Sequence, residues 1–259
     1  MNLIDTLVTC RVSGTKKTGK LPAISGKTAL IAAWALGTML FAAVAAATPV
    51  KIKVGEQTLS IPLPDGFVDT ATTAPQLKQL GEKQFTSEAS RLLIYGVEQA
   101  GLERLKKNQG TPIQRYLQVQ VPKQLENASA TVEDFAELKK ILVQQNPTLA
   151  KPENRLAGLA KGRLGALADE MAKRAQPGIP LTLGVLRDDE HSYTTLTLTR
   201  FETKAGKTGT VSVITATSYA LVKDKLLHFY LYADYLKPAD AEWLGETSGA
   251  WLKTVMQTN

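Results

Sequence analysis

Apolar and polar residues alternate along two separate parts of the chain, a period that is typical of β-strands. Near the beginning, residues 50–63 alternate on either side of Gly55, which predicts an opening hairpin. Pro62 and Pro64 lack the backbone N–H that a central strand needs, so we predict that this hairpin lies at the edge of a sheet.

The longest alternation follows Pro180. It divides into four stretches separated by short turns, namely residues 181–187, 193–201, 210–222 and 226–233. Connections this short predict an antiparallel meander. The parity of the apolar residues predicts the side that faces the core, which would carry Val211, Val213, Tyr219 and Leu221 in the third stretch and Leu227, Phe229 and Leu231 in the fourth.

Two further strands are predicted at residues 91–99 and 115–121, which are rich in bulky and β-branched side chains. Between them, residues 101–110 include Lys106 and Lys107 and are predicted to form a basic surface loop.

Helical spacing of apolar residues predicts a short helix at residues 75–85 and a longer helical insertion at residues 131–175. In the insertion, Thr131 caps the first helix, with Asp134 three residues on, and a second helix is predicted over residues 152–175. Its three glycines, Gly158, Gly162 and Gly165, would weaken that helix unless they permit close approach of another element.

A terminal helix is predicted at residues 238–256, with Trp243 and Trp251 sealing the buried face of the sheet. Together these elements predict an α+β fold, in which an antiparallel β-sheet is packed by helices.

An uncharged apolar run at residues 28–44 follows four lysines and precedes Ala45, Ala47 and Thr48. A basic region, an apolar region and small residues in this order are the pattern of an export signal with cleavage after Ala47. The run approaches the length of a spanning helix, about 20 residues, so an uncleaved signal anchor is the alternative. In both cases residues 48–259 form a single exported domain, either periplasmic or secreted, or held outside the cytoplasm at the inner membrane through residues 28–44.

The net charge of +7 says little about this domain, because Arg11 and the four leader lysines, against Asp5 alone, supply more than half of it. The remaining charges are nearly balanced, and this argues against a nucleic-acid partner. The single cysteine, Cys10, lies in the leader, so the domain has neither a disulfide framework nor a thiol nucleophile.

Two polar clusters could carry chemistry. Residues 188–191 supply three carboxylates and His191, but adjacent residues rarely face one ion, so we interpret them as a solvated turn and predict no metal site. In the last strand, His228, Tyr230, Tyr232 and Asp234 share one parity and form the candidate ligand-binding face.

No set of residues in the sequence points to catalysis, and the phosphate-binding and dinucleotide-binding glycine patterns are missing, so we predict no cofactor. A periplasmic hydrolase remains an alternative, and its general base would be His191 or His228.

The order of these elements resembles the PsbP-like α-β-α sandwich superfamily, which includes bacterial envelope proteins of the DcrB type. The resemblance is carried by residues 61–67 (IPLPDGF), the late meander, the strand at residues 226–232, and the terminal helix with Trp243 and Trp251. It implies a non-enzymatic binding or assembly role, with an unidentified envelope protein or small ligand as partner. The remaining alternative is an anchored structural component of an envelope complex.

Overall fold

The structure is a computed structural model that describes residues 48–109, 113–203 and 209–259. Its strands are β1 (Val50–Val54), β2 (Gln57–Ile61), β3 (Phe67–Asp69), β4 (Ser90–Glu98), β5 (Arg115–Pro122), β6 (Leu181–Asp188), β7 (Ser192–Thr203), β8 (Gly209–Val222) and β9 (Lys225–Asp234). β1 and β2 pair with each other, and the other seven form an antiparallel sheet in the order β3-β4-β5-β9-β8-β7-β6. The predicted meander corresponds to β6 through β9 and is confirmed.

The α-helices in the described ranges are α1 (Thr70–Thr73), α2 (Pro75–Phe85), α3 (Gln99–Lys106), α4 (Val132–Gln145), α5 (Arg163–Arg174) and α6 (Pro238–Thr258). The Thr131 hydroxyl accepts the Asp134 N–H, and the Asp134 carboxylate accepts the Thr131 N–H, so the predicted cap at the start of α4 is present. An antiparallel sheet packed by helices makes the fold α+β, as predicted.

One face of the sheet carries the main core, under α5 and α6. Leu227, Phe229 and Leu231 of β9 are buried there, as the alternation predicted. Gly165 allows the two helices to approach each other, because a Cβ at this position would lie 2.7 Å from the carbonyl oxygen of Pro238. The close approach suggested for the glycines of this region is therefore found at Gly165.

The two tryptophans of α6 pack against the same core in different ways. Trp251 is buried, contacts Phe229 edge-on, and donates its indole N–H to the carbonyl oxygen of Pro62 at 2.8 Å. Trp243 is half-buried between the ring of Phe67 and the guanidinium group of Arg115.

The opening hairpin does not lie at the edge of the large sheet, contrary to the prediction. It forms its own two-stranded sheet, whose apolar side chains Leu59 and Ile61 are fully buried in the main core. Pro62 and Pro64 follow at once and cannot donate to a ladder, so the strand ends before it can join the larger sheet.

Two assignments of secondary structure were also wrong. Residues 101–110 were predicted as a loop, but α3 occupies most of them because Leu102 is buried beside Ile113. The helix predicted at residues 152–175 begins only at Arg163, because Gly158 and Gly162 adopt left-handed φ angles of 76° and 85°. The helical hairpin of residues 131–175 is therefore a helix, two short 3-10 turns and a shorter helix.

The parity predicted for β8 is reversed. Its core side carries Ile214 and the small residues Ala216 and Ala220, next to α6. Tyr219 instead lies on the opposite face of the sheet, directly across from His228.

The apolar segment at residues 28–44 and the residues Ala45 and Ala47 lie outside the described residues, while Thr48 is exposed at their start. Within the described ranges, no helix has the length and hydropathy needed to span a membrane.

Candidate functional site

Among the described residues, helices cover the second face of the sheet only at its flanks. On one side, α2 and α3 pack over β4 through a cluster that includes Tyr95 and Leu102. On the other side, α4 packs over β6, β7 and β8 through Phe135, Tyr193 and Leu221. Between the two clusters the sheet surface is half-buried, and this is where the candidate site lies.

Five rings stand on this surface and are called the aromatic strip: Tyr116, Tyr219, His228, Tyr230 and Tyr232. Side chains in a strand alternate between faces, so His228, Tyr230 and Tyr232 of β9 point to the same side. The strand register adds the other two, because Tyr116 pairs with Tyr232 and Tyr219 pairs with His228.

The rings of the strip contact one another in sequence. Tyr116 and Tyr232 stack with centroids 4.4 Å apart, and Tyr230 lies nearly parallel to Tyr232 at 6.1 Å. His228 stands edge-on to Tyr230 at 6.3 Å and to Tyr219 at 4.8 Å. Each ring therefore limits the rotation of its neighbour, so the strip is preorganised for a partner.

Uncharged polar side chains border the strip on both sides. Gln118 and Gln120 of β5 lie beside Tyr230 and His228, and Thr217 of β8 pairs with Tyr230 from the other side. Gln120 donates its amide N–H to the Oε1 atom of Gln118 at 2.7 Å. The Nε2 atom of Gln118 is buried and has no hydrogen-bond partner among the described residues. A buried donor without an acceptor is costly and rare in folded proteins.

The strip is uncharged at neutral pH. Burial lowers the pKa of His228 from 6.5 to about 4, so its imidazole is neutral. Burial, with a smaller effect of Tyr219, raises the pKa of Tyr230 to about 12, and burial raises the pKa values of Tyr232 and Tyr116 as well.

Three of the four residues proposed from the sequence, His228, Tyr230 and Tyr232, are thus brought together. Asp234 shares their parity and pairs with Val213 at the far end of β9. The site also contains four residues that were not predicted from the sequence and that reach it through pairing with β9, namely Tyr116, Tyr219, Gln118 and Gln120.

The acidic cluster at residues 188–191 forms a turn stabilised by its own side chains. The carboxylate of Asp189 accepts the backbone N–H groups of His191 and Ser192 and the hydroxyl of Ser192. Asp188 forms ion pairs with Arg155 at 2.6 Å and Lys139 at 3.1 Å. Burial opposes ionisation of Asp188, but the hydrogen bonds from Arg155 and Lys139 outweigh it and lower the pKa. No cluster of three or more metal-ligating side chains occurs in the described ranges.

The two histidines lie in different places, His228 in the aromatic strip and His191 in the turn at residues 188–191. His228 is surrounded by tyrosines, and with a pKa of about 4 it would be a weak general base at neutral pH. Ser192, next to His191 in the chain, is buried and donates its hydroxyl to Asp189.

Comparison with known proteins finds no matching family model and no matching curated protein. Among solved structures, the chain is similar to the Ran-binding protein Mog1p of Saccharomyces cerevisiae. The two sequences are 12% identical, the similarity covers 82% of this chain and 93% of that chain, and the TM-score is 0.30.

Proposed function

We propose that this chain is an exported, non-enzymatic binding domain of the bacterial envelope, and that its ligand or partner lies on the aromatic strip. The observation that carries the proposal is the amide nitrogen of Gln118, which is buried beside the uncharged aromatic strip and has no hydrogen-bond partner among the described residues. The export pattern of the leader and the resemblance to envelope proteins support the compartment.

The chemistry of the surface defines the class of partner. Tyrosine, glutamine and threonine side chains offer hydroxyl and amide groups without charge, and tyrosine adds contact area at low cost in conformational entropy. The Nε2 atom of Gln118 requires an acceptor, such as a carbonyl or hydroxyl oxygen. We therefore infer an uncharged, polar partner surface that can hydrogen bond to amides and stack against rings.

Capture experiments test this proposal. We expect a tagged full-length chain, expressed in its native envelope, to retain a protein or small molecule that mass spectrometry identifies. Tyr230→Ala should reduce its recovery by about tenfold or more, since it removes a central aromatic contact. Tyr230→Phe, which removes only the hydroxyl, should have a smaller effect.

Tyr235→Ala is the matched control, because Tyr235 is also half-buried but packs against the main core. This variant should capture the same material as the wild type. Equal recovery by the wild type, Tyr230→Ala and Tyr235→Ala would show that the strip is not the binding surface.

A further inference from the structure

A cavity of about 380 Å³ lies between α4 and the segment at residues 125–130, away from the rings of the aromatic strip. Its apolar lining comes from Leu125, Phe135, Leu138, Ile141 and Leu226. Cavities of roughly 300–1,000 Å³ with mostly apolar walls are typical of small-ligand sites.

Two of the lining side chains are unusually exposed for their size. Ile141 is 47% exposed and Leu125 is 39% exposed. They line one cavity together with the buried ring of Phe135, so the exposed apolar surface is concave and continuous rather than scattered. A bound apolar chain would remove this surface from water.

The charged side chains at the cavity restrict the head group that a ligand with an apolar chain can carry. Asp134 and Glu137 both contribute to the lining, and both lie on α4. The carboxylate of Asp134 accepts the backbone N–H of Thr131 at 2.8 Å. Glu137 forms an ion pair with Lys140 at 2.6 Å, so Asp134 is the carboxylate that disfavours an anionic group on the ligand.

An uncharged surface lies near the cavity. Leu226 lies on the same side of β9 as His228, two residues away, a distance of about 7 Å along a strand. Gln120 pairs with His228 there, and its side chain is uncharged.

We propose that this cavity binds the alkyl chain of an amphiphile whose head group is polar and uncharged. The proposal goes beyond the proposed function, because the cavity lies outside the aromatic strip. It depends on the cavity, and a substitution at Ile141 changes no residue of the aromatic strip.

Titration calorimetry with monolauroylglycerol and with dodecanoate, both below their micellar concentrations, tests the proposal. The full chain is isolated without detergent, because a detergent is itself an amphiphile. We expect the wild type to bind monolauroylglycerol and to bind dodecanoate at least tenfold more weakly. Ile141→Glu should weaken monolauroylglycerol binding at least tenfold, because it places a charge in the apolar wall.

Ile179→Glu is the matched control, since Ile179 is 51% exposed and does not line the cavity. It should bind as the wild type does. Absence of binding to the wild type, equal binding by Ile141→Glu, or equal affinity for dodecanoate would overturn the proposal. A wild-type dimer that Ile141→Glu converts to a monomer, with no monolauroylglycerol bound, would also overturn it, because a second copy would then cover the cavity.

Discussion

Replacing Trp251 with alanine is expected to lower the free energy of unfolding by about 3–5 kcal/mol, the range for a buried aromatic side chain. Trp251 is 4% exposed, and its ring lies 5.2 Å from that of Phe229 on the core face of the sheet. Its indole N–H also bonds to Pro62, immediately after the opening hairpin. The side chain therefore joins α6, the large sheet and the hairpin. Urea denaturation followed by circular dichroism measures the change.

Two further variants separate the contributions of Trp251. Trp251→Phe keeps an aromatic ring but leaves the carbonyl oxygen of Pro62 without its donor, at a cost of about 1–3 kcal/mol. Trp243→Ala, at a half-buried position on the same helix, should cost less than Trp251→Ala. A loss below about 1 kcal/mol for Trp251→Ala, far under the usual cost of an aromatic truncation, would contradict this account of the core.

The second large effect concerns pH. The pKa of His228 is about 4 in the folded protein and 6.5 in the unfolded chain, because burial disfavours the charged imidazole. Above pH 6.5 the side chain is neutral in both states, so His228 does not lower the free energy of unfolding there. As the pH falls below 6.5, the unfolded chain takes up a proton before the folded protein does. We expect a loss of roughly 2–3 kcal/mol by pH 4.

Urea denaturation at pH 7, 5.5 and 4.5 checks this expectation, with His228→Gln as the control. Glutamine is uncharged throughout, so the variant should lose the part of the pH dependence that His228 causes. Hydrogen bonds to Asp188 and Asp189 outweigh the effect of burial and hold their pKa values below 3.8. These two carboxylates therefore take up protons at a lower pH than the range measured here. Identical pH dependence in the wild type and His228→Gln would show that the imidazole is not buried as described.

The sequence predicted one half of the site and missed the other for a physical reason. Alternation along β9 is local, so the shared face of His228, Tyr230 and Tyr232 could be inferred directly. Tyr116 and Gln118 join them only because β5 pairs with β9, a contact between strands more than 100 residues apart along the chain. Nothing in the local pattern of either strand specifies that pairing.

The reversed face of β8 has a similar origin. Hydrophobicity alone favoured Tyr219 and Leu221 as the core side, but α6 requires small residues beneath it, and Ala216 and Ala220 occupy those positions. Tyr219 is then free to contact His228. The predicted start of α5 was wrong for a different reason. Gly158 and Gly162 adopt left-handed backbone conformations, which interrupt the helix that the apolar spacing alone predicts.

The central claim, that the aromatic strip is the binding surface, is tested most directly by photo-crosslinking in intact cells. Benzoylphenylalanine at position 217 replaces Thr217, which pairs with Tyr230, and the same residue at exposed Glu246 of α6 serves as the control. We predict an adduct at position 217 that Tyr230→Ala diminishes and that is missing at position 246. No adduct at position 217, or the same adduct at both positions, would contradict the account.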